Sequence, residues 1–371
     1  MLLYYGNPLF TNFMNTMIDI FRWWAKRRGR PWARQMGIVV IVLLFFFGSA
    51  GAQDLHFSQY FSAPLLTNPA NTGFIPDANY RLGVDYRDQW TTIPVPYRTM
   101  SAFGDAQLLR NRLTYGWVGL GGVVLQDVAG SGDLTSTKVY GSIAYHQLLG
   151  LGSLLSAGFN VGYARKSINL SKLTFDDQWN GKFFDASLPS NEYSAISQTS
   201  ISYVDLQAGL NYAYFPNDHV YLNLGFSAQH LNTPRETFYS GDNRIPRRYI
   251  GFINASIQLS DMLIVNPNGY YSLQSGAHEI VAGGYVQVNL SGNGAQQLLG
   301  GIYYRFQDAF IPMVGYQLNN LRLMFSYDAT VSSLGPNIQH NGAYEVSLIY
   351  QGLYQNGTYR REEKKFRCPS F

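Results

Sequence analysis

Hydrophobic and polar positions alternate with period two along most of this chain. In Arg81–Arg87, Leu82, Val84 and Tyr86 form an apolar side, while Arg81, Gly83, Asp85 and Arg87 form the other. Leu321–Val331 repeats the design. There Leu321, Leu323, Phe325, Tyr327, Ala329 and Val331 oppose Arg322, Met324, Ser326, Asp328 and Thr330. Such alternation predicts strands with one face suited to hydrocarbon and one suited to water. Turn signals then divide the chain into about fourteen strands. The expected spans are 79–88, 97–107, 115–126, 134–147, 153–165, 201–214, 220–230, 248–259, 262–273, 278–290, 297–306, 309–318, 321–331 and 342–352.

The connections sort by parity. With the first strand running outward, the odd-to-even links include the long segments 88–96, 167–200, 231–247 and 332–341. The even-to-odd links include the short 148–152, 215–219, 260–261 and 319–320. Bacterial outer-membrane barrels have short periplasmic turns and longer external loops. The expected fold is therefore all-β: a closed antiparallel transmembrane barrel over 79–352. Residues 53–78 form an N-terminal plug or periplasmic segment, 353–371 a periplasmic tail, and both termini are periplasmic. Glycines inside strands, among them Gly119 and Gly283, predict bends and bulges. Trp90, Tyr97, Tyr115, Trp117, Tyr214 and Tyr350 lie near strand ends, as interfacial aromatic girdles do.

The first 52 residues read as a secretory leader. Arg22, Lys26, Arg27, Arg28, Arg30 and Arg34 precede the apolar stretch Met36–Ser49, and Ala50-Gly51-Ala52 follows as a small-residue cleavage site. The apolar run falls short of the roughly 20 residues of a membrane-spanning helix. Removing it leaves 27 less 6 basic residues and 23 less 1 acidic, or 21 against 22. A nucleic-acid partner has no support from that balance. Charged residues make up 13% of the chain, about half the globular norm of roughly 25%. Mean hydropathy is nonetheless −0.12, as expected where apolar and polar residues alternate. Cys368 is the one cysteine, so neither an internal disulfide nor a cysteine-based zinc site is available.

No catalytic or cofactor motif stands out. The histidines (His56, His146, His219, His230, His278, His340) are scattered singly, with no metal-ligand spacing and no serine-hydrolase elbow. His230 projects onto the apolar face at the outer end of its strand, where a lipid-acting barrel enzyme would need it; an interfacial amphipathic histidine is the better account. Asp176, Asp177, Asn180 and Asp185 could offer oxygen ligands to Ca²⁺ but lack EF-hand spacing; a solvated acidic loop accounts for them as well. Arg81, Asp85, Arg87, Lys138, His146, Asp205, Asn211, Arg322, Asp328 and Glu345 project into the lumen. Both signs are present, so cross-lumen ion pairs are expected, with a plug or else a hydrated pore. Phe175, Trp179, Phe183 and Phe184 in the longest loop suit either a protein interface or packing on the rim. The tail carries Arg367, Cys368 and Phe371, within reach of a periplasmic partner.

Several stretches resemble the PorP/SprF family. They are Asp54-Leu-His-Phe-Ser-Gln-Tyr-Phe-Ser-Ala-Pro-Leu-Leu-Thr-Asn-Pro-Ala-Asn-Thr-Gly73, Tyr80-Arg-Leu-Gly-Val-Asp-Tyr-Arg-Asp-Gln-Trp90 and Pro267-Asn-Gly-Tyr-Tyr-Ser-Leu-Gln-Ser-Gly-Ala-His-Glu-Ile280. Gly301–Phe310, Phe325–Leu334, Tyr344–Tyr350 and the ending Arg367-Cys-Pro-Ser-Phe371 continue the likeness. Residues 165–200 and 231–247 carry no recognisable likeness. The resemblance implies a non-enzymatic outer-membrane component of the Bacteroidetes type IX secretion system, with no cofactor. It would support secretion or surface attachment of particular cargo, such as gliding adhesins. Its implied partners are outer-membrane lipid, periplasmic ring or peptidoglycan-associated subunits, and the C-terminal domains of secreted cargo. A passive or ligand-selective channel for small molecules is the alternative.

Overall fold

The computed structural model describes residues 57–354 except 77, 92–94, 96, 111, 151, 186 and 333–341. The leader, Gln53–His56 and the tail residues Arg367, Cys368 and Phe371 lie outside the described residues. Fourteen strands form the wall: β1 Tyr80–Gln89, β2 Tyr97–Leu108, β3 Gly116–Ala129, β4 Leu134–Gly150, β5 Ser153–Ser167, β6 Ser200–Asn217 and β7 Val220–Gln229. The second half comprises β8 Arg248–Ser260, β9 Leu263–Gln274, β10 Ala277–Asn289, β11 Gln296–Arg305, β12 Ala309–Leu318, β13 Leu321–Thr330 and β14 Ala343–Gly352. Each bound falls within three residues of its expected place.

Every strand pairs antiparallel with its sequence neighbours, and β14 returns to β1 to close the barrel. That seam runs from Tyr80 opposite Gly352 to Gln89 opposite Ala343 without a register shift. Closure leaves no strand edge to be stranded in hydrocarbon. Ten residues at roughly 3.3 Å rise, tilted by roughly 40°, cover roughly 25 Å, the height of an outer-membrane apolar band. The outward face is apolar as the alternation requires: Leu82, Val84 and Tyr86 on β1 and Leu323 and Phe325 on β13 are exposed.

The longest connections, 168–199 and 230–247, emerge at one end (the loop end), where β1 also ends and β14 begins. The parity is less strict than the sequence suggested. Ser275-Gly276 and Phe306–Asp308 are short links at the loop end, and 109–115 and 290–295 are longer links at the opposite, turn end.

The lumen is filled by the chain's own N-terminal segment. It contains one helical turn, α1 (Pro64–Thr67), and a 3-10 turn at Pro69–Asn71. Each turn has Pro at its first positions, where the missing N–H costs nothing. Asn68 does two jobs between them. Its Oδ1 accepts from Ala70 N at 2.9 Å to cap the second turn, and its Nδ2 donates to Leu210 O on β6 at 2.9 Å. The plug meets wall backbone where the wall has glycine. A Cβ at Gly119 would overlap the Thr72 carbonyl, and one at Gly158 would overlap Pro69 and Ala70. These two glycines therefore permit close approach of the plug, whereas the sequence suggested a bend at Gly119.

The inward wall from β8 to β13 carries an apolar patch among its polar side chains. Ile250, Phe252, Tyr270, Val281, Leu299, Tyr303, Ile311, Met313 and Met324, from β8 to β13, join Tyr60 in a single buried cluster with Phe61 packed against it. Phe61 stacks between Tyr285 and Tyr303, with ring centroids at 5.6 and 5.8 Å. The barrel interior is thus a protein core on this side.

A Gly158→Leu substitution should displace the plug while leaving the wall ladder intact, a misfit of about 1–3 kcal/mol. Limited proteolysis in detergent should then cut within 57–76 while the barrel keeps its heat-dependent gel mobility.

Candidate functional site

At the loop end, β1, β11, β13 and β14 aim charges at the start of the plug. Arg87 bonds Glu345 and lies 3.0 Å from Asp328 Oδ2; Arg305 reaches the same oxygen at 3.0 Å and Asp308 at 2.9 Å. The backbone amides of Ser58 and Gln59 donate to the two oxygens of Glu345 at 2.7 and 2.8 Å. Ser58 Oγ donates to Asp328 at 2.7 Å and accepts from Arg87 at 2.7 Å. Nearby, Asp85 is buried and accepts from Ser101 Oγ at 2.9 Å. Charges taken out of water must be paired and hydrogen-bonded, and the plug supplies part of that pairing.

At the turn end the pattern recurs with other residues. Arg81 pairs with Asp105 at 2.8 Å, and Asp105 also accepts from Gly73 N at 2.8 Å. His146 lies between Trp117 and Phe74, with centroids at 4.8 and 5.9 Å. Its Nε2 donates to Thr72 O at 2.8 Å, leaving Nδ1 to accept from Ser156 Oγ at 2.7 Å. Asn211 donates to Asn71 at 3.0 Å and Gln107 to Ile75 O at 2.6 Å. Arg322 is half-buried and holds Gln317 Oε1 at 2.9 and 2.8 Å. Trp117 is buried and donates Nε1–H to Gly73 O at 2.9 Å. It is therefore a plug contact and not a girdle residue, because its position in β3 points inward.

Between the two ends, Asp205 accepts from Tyr140 at 2.8 Å and meets His230 Nδ1 at 2.9 Å, with Lys138 buried close by. His230 overturns its expected placement on the lipid face: it is fully buried in the lumen. The strand ends at Gln229, and His230 takes a positive φ of 55° that breaks the alternation. A lipid-acting site has no histidine there. Asp105 and Arg305 escaped the sequence reading, although the alternation of β2 and β11 places them in phase with inward neighbours. Ser58, Gln59 and Tyr60 carried no such signal, since partners of each on the wall, Glu345 for the first two and Asn254 for the third, lie more than 190 residues away.

The loops above are tied to one another. Ser197 N donates to Phe238 O at 3.0 Å, Tyr203 to Glu236 at 3.0 Å, and Asn169 N to Gly132 O at 2.8 Å, with Lys166 paired to Glu236. Trp179, Phe183 and Phe184 are exposed. Phe175 is half-buried, with its ring 5.1 Å from Tyr193. Three of the four candidate oxygen ligands serve hydrogen bonds within the loop. Asp177 accepts from Asn191 N at 2.8 Å, Asn180 from Lys182 N and Phe183 N at 3.0 Å, and Asp185 from Ser187 N at 3.0 Å and Oγ at 2.6 Å. The Ser187 bonds hold the Asp185 carboxyl below the usual carboxylate range. Among the described residues, no three His, Cys, Asp or Glu side chains are grouped to hold a metal ion.

Phe57 and Ser58 lie at the loop end, beside Leu125 and Glu345, whereas Tyr354 N bonds Asn79 Oδ1 at the turn end. The described chain therefore starts and finishes at opposite ends of the barrel, while the termini expected on the periplasmic side lie outside the described residues. The reason is that 57–76 runs the length of the lumen before β1 begins.

A family model for the type IX secretion system membrane protein PorP/SprF matches residues 49–350, spanning plug and barrel. The chain belongs to the PorP/SprF family. This PorP/SprF protein is accordingly a type IX secretion system membrane protein, and its barrel is of the outer-membrane kind. Among curated proteins none matches. Solved structures similar to it include the toluene transporter TbuX of Ralstonia pickettii, at 15% identity and TM-score 0.46, covering 82% of this chain and 96% of that one. The P. putida toluene transporter TodX is similar at 12% identity and TM-score 0.45, covering 79% and 94%. A Pseudomonas aeruginosa FadL homologue is similar at 10% identity and TM-score 0.44, covering 78% and 94%.

Arg87→Met would leave Asp328 and Glu345 short of a buried counter-charge and should cost about 3–5 kcal/mol. Arg322→Met, with only Gln317 to lose, should cost about 1 kcal/mol or less. Urea unfolding of the detergent-folded protein, followed by tryptophan fluorescence, measures both.

Proposed function

We propose that this protein is a sealed, non-enzymatic docking component of the type IX secretion system. It holds particular secreted cargo, or periplasmic subunits of the machine, at its rims. The observation that carries this reading is the occupied lumen. The plug is bonded to the wall at both ends and along its length, so the barrel offers partners its loops and its turn-end surfaces. Exposed Trp179, Phe183 and Phe184 on a tied loop cap have the make-up of interface anchors, large apolar side chains with a polar surround.

In this reading the loop end faces the cell exterior and the turn end faces the periplasm, following the usual distribution of long and short links. The loop cap then receives the C-terminal domains of cargo such as gliding adhesins. The turn end, with the segment after Tyr354 carrying Arg367, Cys368 and Phe371, meets ring or peptidoglycan-associated subunits. The lipid contact is the outward apolar belt.

Replacing Trp179, Phe183 and Phe184 together with Ser should leave the barrel present in the outer membrane. It should weaken capture of cargo by roughly 30-fold or more if one anchor contributes about 2 kcal/mol. Comparing surface and secreted proteins of the variant, the wild type and a deletion strain measures this. Selective loss of a few large surface proteins in both mutants is the expected result, and an unchanged profile in the deletion strain would refute the reading.

A further inference from the structure

The outward face of the wall carries almost no charge, and what it carries is placed unevenly. Among the outward positions of the fourteen strands, three charged side chains occur: Asp88, Arg98 and Arg165. All three lie in the loop-end portion of their strands, next to the exposed Tyr86, Met100 and Tyr163. No strand carries an outward charge at the turn end. Arg98 and Asp88 answer each other at 3.6 Å. Arg165 is exposed, donates Nε–H to Ser200 Oγ at 3.1 Å, and makes no ion pair among the described residues. Arg247 precedes the outward Tyr249 by two residues and shares its phase. It too is exposed, donates Nε–H to Leu231 O at 3.2 Å, and has no carboxylate partner among the described residues.

The two unpaired arginines stand at nearly one level. Arg165 is 12 residues up from Ser153, where β5 leaves the turn end, and Arg247 is 13 residues up from Ser260, where β8 returns to it. With β6 and β7 between them, they are three strand spacings apart, roughly 14 Å. The wall between them is incomplete. The β6–β7 ladder begins at Ala208 opposite Ala228, so residues 200–207 have no strand on that side. Leu231 N donates to Leu206 O at 2.9 Å, and Asn232 bonds Val204 O at 2.7 Å and Leu206 N at 3.2 Å, which closes part of the gap. In step with Leu206, the amides of Ser202 and Val204 turn to the same side and meet no acceptor among the described residues. Tyr163, Val204, Phe226 and Tyr249 are exposed on the same stretch of wall, with Phe226 and Tyr249 stacked at 6.3 Å between centroids. The recess is aromatic and apolar where acyl chains lie, and rich in unanswered donors where headgroups lie.

We infer that this recess binds a phosphorylated glycolipid of the outer leaflet, with Arg165 and Arg247 each holding a phosphate on its sugar headgroup. Guanidinium forks match pairs of phosphate oxygens. A lone phosphodiester headgroup is too small to touch both arginines, whereas a disaccharide phosphorylated at each end bridges them. The acyl chains then run down the wall over Tyr163, Val204 and Phe226 into the apolar belt. The inference rests on the outward orientation of the loop end proposed above, and not on cargo docking.

Titrating the detergent-purified, full-length protein with diphosphoryl lipid A, read by native mass spectrometry, tests it. The wild type should retain one lipid A, and Arg165→Gln with Arg247→Gln should weaken retention by roughly 25-fold or more. Arg98→Gln, which removes an arginine already answered by Asp88, should stay within about two-fold of the wild type. Stripping the phosphates from lipid A should cost the wild type as much as the double substitution does. Undiminished retention by the double variant, equal retention of dephosphorylated lipid A or of phosphatidylglycerol, or displacement by millimolar inorganic phosphate would each overturn the site. Both arginines are exposed, so heat-dependent gel mobility should be unchanged. Should the double variant fail that check, the single substitutions decide, each expected to weaken retention roughly five-fold. Orientation has its own readout: Asp242→Cys in a Cys368→Ser background should react with a membrane-impermeant maleimide on intact cells. Unlabelled cells with lipid A still bound in detergent would overturn the orientation and this inference with it, while labelled cells without lipid binding would overturn the site alone.

Discussion

Every backbone N–H and C=O that faces hydrocarbon needs a partner within the protein, because lipid offers none. The seam between β1 and β14 is where that demand is met last. Without it two strands would present unpaired edges, and no arrangement of side chains could compensate. With it, the wall becomes a ring whose outward side chains need only be apolar. The inward side chains are released from the membrane's demands and come under those of a protein interior. Charges must be matched, gaps filled, and polar atoms given partners.

The plug answers these inward demands differently on its two sides. Toward β8–β13 it contributes Tyr60 and Phe61 to an apolar cluster. Toward β1, β13 and β14 it contributes hydroxyl and amide groups to an ion-pair network at Arg87, Asp328 and Glu345. Near His146 and Trp117 it offers its own carbonyls. A short segment with little regular structure can do this because wall and plug share the task of satisfying its backbone.

Much of the wall was legible before any coordinates. A strand with one face in lipid is forced into period two, and that constraint survives in sequence even where boundaries blur by a residue or two. The same phase placed Asp85, Arg87, Asp328 and Glu345 inside. Less could be read where the interior is itself apolar: Leu298 faces out and Leu299 faces in, and nothing local separates them. His230 was misplaced because a single left-handed residue turns the chain inward. The purpose of Gly119 and Gly158 was hidden as well, since the atoms they avoid belong to a segment distant in the chain. Position along a strand is a local property, while the path of the plug is set by contacts that only the closed ring brings together.

The direction of that path bears on how the molecule is assembled. Residues 57–76 run from the loop end to the turn end and continue directly into β1, the strand that completes the ring. Once β1 has zipped to β14, the segment could enter only by threading, free end first, through a space already crowded by Phe103, Trp117 and Tyr303. Loading the segment while the sheet is still an open trough avoids this, and it lets Glu345 and Asp328 find their partners before water is excluded. The plug is therefore best viewed as a mould around which the sheet curls, and the first strand as the clasp that locks it in.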